Sequence, residues 1–79
     1  MARPLPPDPS LSQALLLLRK ARELSQESVS HGAEITLGTY GRIERGEVAP
    51  SWVTVRAIAR SLEVSMAELG AAVDAEDAG

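Results

Sequence analysis

The chain has 79 residues, a formal net charge of −3, no cysteine, one histidine and no phenylalanine. That length allows one domain with a small core, and the missing cysteines exclude disulfide staples and thiolate metal sites. With Tyr40 and Trp52 as the aromatic residues, the core falls to Leu, Val, Ile and Ala, the composition of a small helical bundle.

Residues 1–9 contain four prolines, which offer no amide donor, so this stretch reads as an extended N-terminal arm. Arg3 is followed by prolines and Asp8 rather than an apolar run, and Leu15 to Leu18 is too short to span a bilayer. The expectation is a soluble, cytoplasmic protein with no membrane partner and no signal peptide. An arm reaching into a DNA minor groove would rest on Arg3 alone. Ser10 is the expected cap of a first helix from about Leu11 to Glu23, with Leu11, Ala14, Leu15, Leu18 and Ala21 at core spacing. Leu16 and Leu17 fall off that stripe. They either pack under the arm or the last helix, or belong to a self-association surface.

Ser25 suits the N-cap of a second helix, Gln26 to Gly32, anchored inward by Val29. His31 reads as a solvated helix-end histidine. After Ala33 and Glu34, Ile35 precedes Thr36, the cap of a third helix over about Leu37 to Arg45. Leu37, Tyr40 and Ile43 recur along it at i, i+3, i+6, and Gly46 supplies a residue that can take φ > 0. Helix, short turn, helix is the layout that places a second helix in the DNA major groove.

With Tyr40 and Ile43 inward, the third helix displays Thr36, Leu37, Gly38, Thr39 and Arg42. Arg42 brings the fork that reads guanine O6 and N7, Thr39 a hydroxyl and a methyl, and Leu37 an apolar contact for a thymine methyl. Gly38 and Gly41 each cost about 1 kcal/mol of helix propensity against Ala. Close approach of the backbone to DNA or to another helix would account for them. So would a weakened helix that no longer reads DNA.

Glu47 to Pro50 reads as a loop, and Ser51 as the cap of a fourth helix, Trp52 to Leu62, with Val55, Ile58, Ala59 and Leu62 inward. Trp52 is read first as a lid on the core, second as a ligand-facing residue; Arg56 and Arg60 form a solvated face. Ser65 caps a fifth helix from Met66 to about Val73, whose apolar face is Met66, Leu69 and Val73. Residues 74–79 read as a frayed acidic tail.

Leu24-Ser25-Gln26-Glu27, Ile35-Thr36 and Arg42-Ile43-Glu44-Arg45-Gly46 together resemble the Xre/Cro-type helix-turn-helix family of bacterial and phage regulators. The pattern runs without a gap from about Leu15 to Leu69. It departs from the family at Glu34, where a turn glycine is usual, and at Gly38 and Gly41. The resemblance implies that Gln26 and the Ser51–Trp52 amides face DNA phosphates; the free amides after Ser25 can hold another, and Arg45 reads as near phosphate or solvent. The resemblance also implies an internal ion pair between Arg19 and Glu44, and a last helix that pairs across a two-fold axis. Met66, Leu69 and Val73, with Leu16 and Leu17, are the candidate dimer residues.

Between Arg19 and Arg60 seven basic residues face five acidic ones, so DNA affinity would rest on a few placed contacts rather than a strong positive field. No nucleophile–base set, phosphate loop or metal-binding cluster is present in the sequence, so neither catalysis nor a cofactor is expected. The expectation is an all-α, five-helix domain over residues 10–73, flanked by an arm (1–9) and a tail (74–79). It would bind an inverted-repeat operator in double-stranded DNA as a homodimer and regulate transcription. The alternative is a protein-interaction module on the same fold, such as an antitoxin or adaptor.

Overall fold

A computed structural model describes residues 6–79; Arg3 and the rest of residues 1–5 lie outside the described part. Five helices follow in order: α1 (Pro9–Ala21), α2 (Gln26–Gly32), α3 (Leu37–Glu44), α4 (Trp52–Ser61) and α5 (Met66–Ala78). The described residues contain no strand. The fold is the all-α, five-helix bundle with a helix-turn-helix that the sequence implied.

Each helix opens on a side chain that accepts one of its otherwise unpaired amide hydrogens: Asp8, Ser25, Thr36, Ser51 and Ser65. A cap of this kind contributes about 1 kcal/mol. At α5 the cap is reciprocal, because the Glu68 carboxylate also accepts from the Ser65 amide. The first helix starts earlier than expected. Its cap is Asp8, not Ser10, and the Asp8 carboxylate accepts the Ser10 N–H at 3.0 Å. Pro9 is the first helical residue, where its fixed φ is favourable and its missing N–H costs nothing.

Four helices end alike. The chain turns left-handed at Glu23 (φ 56°), Glu34 (57°), Gly46 (75°) and Glu63 (60°). In each case the following amide reaches back across the turn: Leu24 to Arg19, Ile35 to Ser30, Glu47 to Arg42 and Val64 to Ala59, at 2.9–3.1 Å. These bonds occupy carbonyls that the helix end would otherwise leave unpaired. They also turn Leu24, Ile35 and Val64 back onto the core. Arg45 and Leu62 are C-caps, so α3 and α4 each stop one residue short of the expected end.

Leu15, Val29, Tyr40, Ile43, Ile58 and Leu62 are fully buried; Ala33, Ala59, Val64 and Leu69 complete the core around them. Full burial of a large aliphatic side chain contributes about 1.5–3 kcal/mol, and five of these six residues are of that kind, with Tyr40 the aromatic one. Leu11, Leu18, Val55, Met66 and Val73 pack at its margin. Ala21 is exposed at the end of α1 and does not join the stripe. Trp52 is 65 % exposed and is no lid.

Residues 74–78 are helical, not frayed. Three carboxylates near a helix C-terminus oppose the helix dipole, but Ala71, Ala72, Ala75 and Ala78 are the best helix formers. α5 also lies along α1, and Ser10 Oγ reaches Asp77 Oδ1 at 3.4 Å. The acidic tail is therefore the last turn of the domain.

Candidate nucleic-acid interface

α3 is placed by its own two inward residues and by one ion pair. Tyr40 and Ile43 are buried, and the Ile43 carbonyl accepts from the buried hydroxyl of Ser12 on α1 at 2.9 Å. Two turns further along α1, Arg19 grips Glu44 with two prongs, Nε to Oε2 at 2.9 Å and Nη2 to Oε1 at 2.8 Å. Arg19 also donates to the Leu24 carbonyl at 2.9 Å, and Gln26 Nε2 donates to Glu44 Oε1 at 3.1 Å. The network joins α1, α2 and α3, and only 3 % of the Glu44 side chain is exposed. The expected Arg19–Glu44 pair is therefore present and buried.

Burial pushes the Glu44 carboxyl upward, but hydrogen bonds from Arg19 and Gln26, with the Arg19 charge, outweigh it and hold the group below the usual carboxylate value. The Tyr40 hydroxyl is buried beside this pair without a well-formed hydrogen bond. Burial, and then the Glu44 charge, raise it above the usual phenol range.

The residues expected to read bases are all accessible to solvent. Thr36, Leu37, Gly38, Thr39 and Arg42 are all exposed on α3 or its cap. Arg42 forms no ion pair among the described residues. The Thr36 hydroxyl is committed to the cap, accepting from the Thr39 amide at 3.0 Å and donating to the Thr39 hydroxyl at 2.8 Å. That bond fixes the Thr39 rotamer beside Arg42. An added Cβ at Gly38 would meet nothing within 4 Å; at Gly41 it would stand 2.9 Å from Arg45 Nη1. Gly41 thus makes room for an arginine of its own chain, whereas Gly38 has no internal partner.

The expected phosphate contacts fare unevenly. Ser25 and Ser51 are helix caps whose flanking amides point out of α2 and α4, the arrangement that holds anions. Trp52 projects from the second of these. The Gln26 side chain is half-buried and turned toward Glu44. Arg45 is paired with Glu47.

The dimer candidates do not form one surface. Met66 and Val73 line an apolar groove with Leu11, Trp52, Val55 and Gly70. Leu69 is a core residue, 2 % exposed, and serves as the floor of that groove. Leu16 is half-buried and Leu17 is exposed, and neither lines it. The sequence reading missed Val53, the most exposed large apolar residue among the described residues at 75 %. The cue was available: Val53 falls outside the stripe of Val55, Ile58, Ala59 and Leu62.

Two short capped helices, α2 and α3, packed on each other across a tight turn and braced by a buried ion pair, are the layout of a helix-turn-helix domain. Its relatives agree. The family model described as helix-turn-helix matches residues 15–69, and the chain belongs to that family of DNA-binding regulators, which are not enzymes. Among solved structures it is similar to the restriction-modification controller protein C.AhdI from Aeromonas hydrophila, at 32 % identity and a TM-score of 0.73 over 76 % of this chain and 91 % of that one. A helix-turn-helix transcriptional regulator from Vibrio cholerae is 33 % identical, with a TM-score of 0.76 over 81 % of this chain and 36 % of that longer one. The clp gene regulator ClgR from Corynebacterium glutamicum shares the fold at a TM-score of 0.85 and 18 % identity, over 90 % of this chain and 76 % of that one. No curated protein matches the chain. None of its helices, among the described residues, is long and apolar enough to cross a membrane, and no group of three metal-ligating side chains occurs among them.

Proposed function

We propose that this protein is a sequence-specific transcriptional regulator that binds an inverted-repeat operator as a homodimer, with α3 in the major groove. The observation that carries this reading is the outward face of α3, where unpaired Arg42 stands beside Thr39 in a rotamer set by the helix cap. Arg42 would take a guanine edge, Thr39 and Leu37 the neighbouring bases, and the α2 and α4 N-termini the flanking phosphates. A dimer would engage two half-sites about one helical turn apart. The apolar groove of Met66, Val73 and Trp52 supports the two-fold contact, because a core this small gains from association. Similarity to a restriction-modification controller makes control of such an operon the first genomic context to test.

The test is selection from randomised duplex DNA across a salt series, with the bound pool sequenced. An inverted repeat is expected, and Arg42→Ala should relax its guanine preference, worth about 1–3 kcal/mol per good bidentate contact. An unchanged preference in that variant would remove Arg42 from the reading. Absence of any enriched site would move the function to recognition of a protein partner.

A further inference from the structure

Arg45 and Glu47 flank the glycine that ends α3, and their position is set by backbone rather than chance. Gly46 takes φ 75°, and the Glu47 amide closes the turn by donating to the Arg42 carbonyl at 2.9 Å. This brings the Glu47 carboxylate onto Arg45 Nε. Both side chains are more than half exposed. The Arg45 guanidinium lies over Gly41, where an added Cβ would come within 2.9 Å of it. The hydrogen bond from Arg45, and then its charge and that of Arg42, draw the Glu47 carboxyl below the usual range. An acid is therefore paired with the last cation of α3, one turn from Arg42 along the chain.

We infer that Glu47 is a specificity-determining residue: it competes with DNA phosphates for Arg45 and so sets the sequence-independent part of the affinity. This rests on α3 facing DNA. An exposed ion pair is weak, so phosphate displaces Glu47 when the protein is seated. On a poorly matched duplex, where fewer contacts form, the exchange returns little and Arg45 stays with Glu47. Both sequence-independent binding and its salt dependence are held down as a result. With a net charge of −3 the chain has little field with which to override this, so one carboxylate at this point matters.

Glu47→Gln leaves the turn amide in place and removes the charge. On random duplex DNA it should bind about two- to fivefold tighter, the range that one exposed ion pair commands. Its log–log salt slope should steepen by about 0.9, one further phosphate contact. In an Arg45→Ala background the same change should have less than half that effect. Equal effects in both backgrounds would show through-space repulsion in place of competition, and would overturn the inference. So would an unchanged slope. If no sequence is enriched by the wild type yet Glu47→Gln still tightens random-duplex binding, the operator reading fails while the competition stands. If an operator is enriched and Glu47→Gln changes nothing, the competition alone fails.

Discussion

A Cβ built on Gly32 would stand 2.3 Å from Ser61 Oγ and 3.1 Å from Ser61 Cβ, so α2 and α4 meet where any larger residue obliges Ser61 to shift. Ser61 uses the same contact to donate its hydroxyl to the Val29 carbonyl at 2.9 Å. Gly32→Ala must push that hydroxyl away and spread two helices whose packing sets the angle of α3. Helix propensity favours alanine by about 1 kcal/mol, yet overpacking typically costs about 1–3 kcal/mol. The net expectation is a lower urea midpoint, partly recovered when Ser61→Gly is added. A midpoint equal to or above the wild type would show that the helices separate freely.

The Arg19–Glu44 pair predicts an acid limit to stability. The Glu44 carboxyl is held below its usual value of 4.5, so the folded state binds its proton less readily than the unfolded state. Its contribution is complete above the unfolded value and is lost as pH falls through the lower folded one. Arg19→Met strands a buried carboxylate and should cost about 3–5 kcal/mol near neutrality. Part of that loss should return as the pH is lowered and Glu44 takes up its proton. Denaturant unfolding at several pH values measures both. A penalty that does not shrink in acid would assign the loss to packing of the Arg19 stem.

Three glutamates hold left-handed backbone where glycine is usual. Glu23, Glu34 and Glu63 lie at φ 56°, 57° and 60°, each costing about 1–2 kcal/mol through its Cβ. Glycine relieves that cost but adds freedom to the unfolded chain, so Glu34→Gly should raise stability by about 0.5–1 kcal/mol. An unchanged melting temperature would mean that the two terms cancel.

These turns also mark what the sequence made legible. The caps Ser25, Thr36, Ser51 and Ser65 located the starts of four helices to the residue, and the glycine at 46 the end of α3 almost so, because cap chemistry is local. Glu34 was visible as a departure from the family, yet Glu23 and Glu63 gave no signal, since a glutamate reads as a surface residue anywhere. The Arg19–Glu44 pair came through resemblance alone; no local rule joins residues on separate helices. The exposure of Trp52 and the burial of Leu69 were misread for one reason. Periodicity gives the apolar side of a helix but not how far a neighbouring helix covers it. The helical tail was misread because charge was weighed and the alanines between the charges were not.

The groove between α4 and α5 allows the dimer to be tested without touching the core. Gly70 lines it, and an added Cβ there meets nothing within 4 Å. Gly70→Glu should therefore leave the fold intact and place a charge where a partner's apolar side chains would sit. If the proposed dimer forms through this groove, light scattering should give two chains for the wild type and the mass of one, 8.4 kDa, for the variant. Operator affinity should fall while α-helical content holds. A variant that stays dimeric would locate the two-fold contact elsewhere, with exposed Leu17 the next residue to change.

Gly38 separates folding from function most directly. Nothing inside the protein requires a glycine there, because the space around its missing Cβ is open, and alanine would favour the helix by about 1 kcal/mol. Gly38→Ala should therefore raise the melting temperature. If α3 seats its backbone against base edges, the same methyl group should lower operator affinity, and more so than affinity for random duplex. Opposite signs on stability and binding would establish that the glycine serves DNA contact. A gain in stability with unchanged binding would mean that α3 lies clear of DNA at this position, and that Arg42, one turn further on, reaches its base from a shallower seat.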